Sequence, residues 1–138
     1  MKYWLIKSEP TTWSWADQVK AGTTKWDGVR NPQAMINLKA MRKGNRAFFY
    51  HSNEGKEIVG IVEIAREFYL DPKDAGGKYG MVDVKAAEPF AKPVTLAVIK
   101  ADAKLADMVL VRNSRLSVQP VTAAEWQRIV SLGGVGSR

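Results

Sequence analysis

Short apolar blocks separated by polar, Gly- and Pro-containing breaks run along this chain, with no internal repeat, low-complexity tract or long linker. Tyr3 to Lys7 (YWLIK) is aromatic and β-branched enough for a first strand. Glu9-Pro10 stops it, because proline has no N–H to give to a sheet ladder. Ser14 and Asp17 fit a capping box, in which two side chains satisfy free N–H groups at a helix start. A short helix is therefore predicted to about Lys20, ended by Ala21-Gly22-Thr23-Thr24. Asn31 is a good N-cap and Pro32 sits where its missing N–H costs nothing, so a second helix begins there. Its apolar positions Met35, Leu38 and Met41 recur at helical spacing, and Gly44 closes it.

Arg46 to His51 (RAFFYH) reads as a strand, and a turn through Asn53, Glu54 and Gly55 leads into Glu57 to Phe68, which should pair with it as a hairpin. Gly60 inside that second strand suggests a bulge or a barrel-like bend. Asp71 to Lys78 is a polar loop, Tyr79 to Glu88 another strand, and Pro89 and Pro93 bracket a break. Leu96 to Met108 reads as a short helix followed by a helical turn, and Leu116 to Val121 as a last strand. Thr122 and Glu125 form a second capping box, for a terminal helix ending at Gly133. Strands clustered in the middle with helices before and after argue for an α+β domain on a mostly antiparallel, curled sheet.

With 138 residues, 46% hydrophobic and 25% charged, the chain is expected to form one domain over residues 1–138 with a core of its own. The absence of cysteine excludes disulfides, zinc-thiolate sites and cysteine nucleophiles, and a single histidine, His51, argues against a histidine-rich metal site. No metal or cofactor is expected. No apolar run is long enough to span a membrane, and MKYWLIKSEP is too short in apolar residues for a secretory signal, so a soluble, cytoplasmic protein is expected.

Charge adds a direction. The formal net charge is +7 with a pI near 9.7, a balance that favours polyanionic partners. Residues 1–50 carry nine Lys or Arg against three Asp or Glu, whereas residues 51–99 carry six against eight, so the positive field belongs to the two ends of the chain. Residues 100–138 again favour bases, six to three.

Few catalytic constellations remain. Tyr50-His51-Ser52 cannot make its own triad pair, because adjacent strand residues point to opposite faces. Gly76-Gly77 lacks the spacing of a phosphate loop. Lys7-Ser8-Glu9 reads as a serine beside a lysine base, as polar residues ending a strand in solvent, or as hydrogen-bonding groups bordering a pocket. In WDGVRNP, Gly28 allows a tight turn and Asn31-Pro32 sets a helix N-terminus after Arg30, so positive charge and free N–H groups face whatever docks there. Trp26 offers a flat face in that loop, and stacking on a nucleobase contributes roughly 1–3 kcal/mol. The competing role is a packed loop anchor. Trp4, Trp13, Trp15 and Trp126 can be assigned to strand or helix core faces, and Trp26 alone lacks a periodic explanation. Arg112 and Arg115, among small hydrogen-bonding residues, suit either phosphate contact or a solvated loop.

Taken in order, WLIKSEP, WDGVRN, FFYHSN, IVGIVEI, GMVDV and RLSVQPVT with its terminal EW helix resemble the EVE domain family of the PUA-like superfamily, over nearly the whole chain. The resemblance implies a curled antiparallel β-barrel flanked by short helices, and kinship with YTH domains, which hold a methylated adenine in an aromatic cage. It implies binding of a modified base in DNA or RNA and no enzymatic activity. On matching positions, Trp26 would be the cage wall; Lys7, Ser8, Val29, Arg30, Asn31, Tyr50, His51 and Ser52 would line the rest; Arg115, Leu116 and Ser117 would close the far side. Pro32 stands where some relatives carry an aromatic residue.

A flipped or single-stranded base would be needed to enter, and the basic ends of the chain would hold flanking phosphates. The expected protein is a monomeric, non-enzymatic reader whose partner is nucleic acid carrying a modified base. In that reading Trp26→Ala abolishes binding and leaves the melting temperature nearly unchanged. The rivals are a hydrolase of modified nucleosides using Lys7 or Glu9, and a protein-interaction module.

Overall fold

Along β1 (Tyr3–Ser8), Trp4 and Ile6 enter one apolar core and Leu5 enters another, and β3 (Arg46–His51) divides Ala47 and Phe49 from Phe48 and Tyr50 in the same way. Successive strand residues point to opposite faces, so both faces of the sheet are covered at its centre. In the computed structural model, residues 1–135 are described; Gly136 to Arg138, the end of the expected domain, lie outside them. The remaining elements are α1 (Trp15–Ala21), β2 (Thr23–Trp26), α2 (Pro32–Ala40), β4 (Glu57–Leu70), β5 (Gly80–Thr95), α3 (Leu96–Ala101), a 3₁₀ turn at Ala103–Leu105, α4 (Val109–Arg112), β6 (Val118–Val121) and α5 (Ala123–Leu132).

The architecture is α+β, a six-stranded mixed sheet in the order β2-β5-β4-β3-β1-β6. All its ladders are antiparallel except β1 with β3, which run parallel from Tyr3↔Arg46 to Ser8↔His51. The parallel pair is reached because α1, β2 and α2 intervene between the two strands, a crossover long enough to bring the chain back in the same direction. Strands β2 and β6 are the sheet edges, and no ladder joins them among the described residues. The sheet is therefore open, not closed into the barrel implied by the resemblance. It does curl. Trp26 from one edge and Val118 from the other enter the same core, where Ala34, Met35 and Leu38 of α2 pack between them.

Local signals in the sequence reappear as built. The Ser14–Asp17 and Thr122–Glu125 capping boxes are both present, and the Asn31 side chain accepts the Ala34 N–H at 3.0 Å. Gly60 sits at a bulge: Phe49 pairs with Gly60 and Tyr50 with Ile58, leaving Val59 out of the β3 ladder. A Cβ at Gly60 would stand 2.5 Å from the Trp15 ring, so only glycine lets α1 come this close.

Three segments differ from expectation. Thr23 and Thr24, read as part of a helix stop, and Trp26, read as a loop residue, belong to an edge strand paired with Val82–Lys85. Val109–Arg112 forms a short helix, and the last strand begins at Val118. The break at Pro89 and Pro93 lies inside β5: its pairing with β4 jumps from Gly60↔Pro89 to Ile58↔Val94, leaving Phe90 to Pro93 out of the β4 ladder. Proline is tolerated there because β2 covers β5 only at Val82–Lys85, so this stretch has no second neighbour strand to receive an N–H.

Candidate functional site

The C-terminal end of β1, the Glu9–Ser14 loop, the end of β2 with its following turn, and Ser117 at the entry to β6 surround a cleft of about 630 Å³. That volume falls within the roughly 300–1,000 Å³ of small-molecule sites. Curling of the sheet creates the cleft, since its walls come from both edges. Two indoles border it, Trp13 from the loop and Trp26 from β2. Trp26 is only 9% exposed, with its ring edge-on to Phe49 at 5.6 Å, so most of the side chain belongs to the core. Trp13 is half-buried, and its Nε1–H donates to Gln18 Oε1 at 3.0 Å.

Two polar residues near the cleft grip the loop that carries Trp13. The Ser8 hydroxyl donates to the Trp13 carbonyl, and Nε2 of His51 accepts the Trp15 backbone N–H at 3.0 Å. An accepting Nε2 places the neutral imidazole proton on Nδ1. Burial holds the His51 pKa below its ordinary 6.5, with Glu57 pulling the other way. The Ser52 N–H closes the arrangement by donating to the Ser8 carbonyl at 2.9 Å.

Lys7 Nζ donates to the Ser114 carbonyl at 2.6 Å, and burial pushes its pKa down. Lys7 and Ser8 do not form a serine–lysine pair: the Ser8 hydroxyl gives its one hydrogen to the Trp13 carbonyl, the Lys7 ammonium is held by the Ser114 carbonyl, and neighbouring strand residues point to opposite faces of β1. The remaining charges at the cleft are Lys25 and Arg30 against Glu9 and Asp27, with Lys25 and Asp27 4.0 Å apart. Gly28 makes the turn at φ +78°, a left-handed backbone that other residues rarely adopt. The Arg30 guanidinium lies over the Tyr79 ring at 4.4 Å.

Of the residues singled out from sequence, Lys7, Ser8, Trp26, Val29, Arg30 and Ser117 border the cleft. Asn31 caps α2 instead. Tyr50 lies in the core on the other face of the sheet, 3% exposed, with burial raising its pKa. Leu116 is buried in the core shared by Trp26, Arg115 is exposed, and His51 and Ser52 stand behind the Trp13 loop. Glu9, Thr12, Trp13, Thr24, Lys25, Asp27 and Gly28 complete the lining; the sequence reading assigns none of them to a ligand site, and names Glu9 only in the hydrolase rival. For Trp13 a signal existed: it is an aromatic residue in a polar, proline-led loop, the same pattern that drew attention to Trp26.

The EVE domain family model matches residues 2–132. Human thymocyte nuclear protein 1 is 36% identical over 165 aligned positions, covering 94% of this chain and 73% of its own length. Among solved structures, Rpa0253 from Rhodopseudomonas palustris is 57% identical with a TM-score of 0.95, covering 100% of this chain and 97% of its own. The crystal structure of human THYN1 in complex with DNA containing 5-methylcytosine superposes with a TM-score of 0.88 at 34% identity, covering 99% of this chain and 100% of its own. A family match across almost every described element, joined to relatives of this identity and coverage, establishes that the chain belongs to the EVE domain family.

Proposed function

We propose that this protein binds a methylated base of DNA, with 5-methylcytosine the leading candidate, by taking one flipped-out or single-stranded base into the cleft between Trp13 and Trp26. The observation that carries this reading is the pair of indoles on one cleft of nucleobase-compatible size, flanked by Lys25 and Arg30. Support from outside the chain comes from the THYN1 complex with 5-methylcytosine-containing DNA.

The polar groups suit cytosine. Its exocyclic amino group needs an acceptor, and Asp27 or Glu9 supplies a carboxylate; its ring nitrogen and carbonyl need donors, and Lys25 or Arg30 supplies them. The methyl group alone contributes about 0.8 kcal/mol when buried, roughly a fourfold preference. Stronger discrimination requires that the methyl displace water from an aromatic wall while these edge contacts hold the base in register.

The test is titration of matched oligonucleotides with and without 5-methylcytosine, in DNA and RNA, against the wild-type protein and Trp13→Ala. Preferential binding to methylated DNA that Trp13→Ala abolishes supports the reading. Equal affinity for methylated and unmethylated strands, indifferent to Trp13, would overturn it.

A further inference from the structure

We infer that a strip of cations resting on aromatic rings beside the cleft carries the phosphates of the strand that flanks the bound base. The strip starts in the cleft wall, where Arg30 lies over Tyr79 at 4.4 Å, and Lys78 Nζ lies over the same ring at 5.4 Å. One residue on, Gly80 is covered by Phe68, whose ring would stand 2.3 Å from a Cβ at that position. Lys39, in the last turn of α2, lies over Phe68 at 5.4 Å. Three cations thus follow one another outward from the cleft across the loop end of the β4–β5 hairpin.

Each of the three rests on an aromatic ring and makes no ion pair with a carboxylate among the described residues. Ion pairs among the described residues take up Arg46 and Lys85 with Glu63, Arg112 with Asp107, Arg128 with Asp102, and Lys25 with Asp27, and leave out Arg30, Lys39 and Lys78. A carboxylate cancels the charge it pairs with. An aromatic face orients a cation and leaves its charge and its hydrogen-bond donors available. The Asp74 carboxylate accepts the N–H groups of Gly76, Lys78 and Tyr79, which fixes the loop that holds Tyr79 under Arg30, and the Arg30 charge reaches it more weakly than those hydrogen bonds do. Lys39, Lys78 and Arg30 are all exposed. Ordered cations that make no ion pair among the described residues, leading away from a base-sized cleft, match the geometry of a strand whose phosphates must leave that cleft.

This assignment rests on the base-binding reading of the cleft, and one experiment separates the two. Lys39→Gln/Lys78→Gln leaves every cleft-lining residue in place. Its binding to 5-methyldeoxycytidine nucleoside is expected to equal wild type, while its affinity for a long single strand with one central 5-methylcytosine falls. The slope of log affinity against log salt should shrink by about 0.7 for each phosphate contact removed, near 1.4 for the pair. An unchanged slope and affinity for the long strand, with nucleoside binding intact, would overturn the strip alone. Failure of the wild type to bind either ligand would overturn the cleft reading and the strip with it.

Discussion

Nε2 of His51, at the end of β3, accepts the backbone N–H of Trp15 at 3.0 Å, and so one imidazole holds the end of the loop that brings Trp13 to the cleft. Protonation converts that nitrogen to a donor and breaks the bond. Because burial lowers the His51 pKa from 6.5, the unfolded chain takes up this proton before the folded protein does. The stabilisation is thus present in full above about pH 6.5 and is lost as pH falls towards the folded value. Asp17, Asp74 and Asp102 are held below the ordinary 3.8 by their hydrogen bonds, so their contributions disappear only in a lower, separate window. Melting temperature measured against pH should fall for wild type below about pH 6.5 and fall less for His51→Gln, whose amide oxygen still accepts. Parallel curves for the two proteins would show that this bond does not titrate.

Trp26→Ala should destabilise the protein, contrary to the expectation from sequence that the melting temperature would barely change. At 9% exposure and packed on Phe49, the indole leaves a cavity when removed. Such truncations cost roughly 3–5 kcal/mol, which for a chain of this length is a drop on the order of 10–20 °C. Calorimetry would decide it, and a shift of only a few degrees would mean that the core around β2 collapses to fill the space.

These corrections show where the sequence was readable. Caps were, because Ser14 with Asp17, Asn31 with Ala34 and Thr122 with Glu125 interact across three residues and need nothing distant. Strand β2 was not, because its ladder among the described residues is with Val82–Lys85, far along the chain, and four residues carry little periodicity of their own. The family resemblance places Tyr50 at the site, and RAFFYH could not correct it, because it is apolar on both faces and its pattern does not say which residues turn towards α1. Trp13 packs against the core shared by Trp26, as a core-face residue should, but its place on the cleft is not legible, because the groups that hold its loop, Ser8 and His51, become neighbours only when β1 and β3 align in parallel.

Gly60→Ala tests the link between the bulge and the site. A methyl at this position would meet the Trp15 ring at 2.5 Å, inside any allowed contact, so Trp15 must shift and strain its bond to His51. Overpacking of this kind costs about 1–3 kcal/mol. The variant should lose both melting temperature and affinity for the methylated strand. Gly76→Ala, where the nearest atom is 3.6 Å away, serves as the control and should change neither.

Trp13 allows the contribution of an aromatic wall to be separated from the contribution of a hydrogen bond. Its N–H satisfies Gln18, a fully buried residue whose amide in turn donates to the Gly22 carbonyl at 3.0 Å. Trp13→Phe removes that N–H and keeps a ring, whereas Trp13→Ala removes both. Leaving the Gln18 oxygen without its partner costs about 1–3 kcal/mol of stability, and both variants should show that loss. Binding should divide them, because stacking on a base needs a π face and not the indole N–H. Phe should retain most of the affinity for a methylated oligonucleotide, and Ala should lose roughly 1–3 kcal/mol, on the order of fivefold to 150-fold in Kd. Equal affinities for the two variants would mean that Trp13 only shapes the loop, and would leave Trp26 as the sole aromatic wall of the cleft.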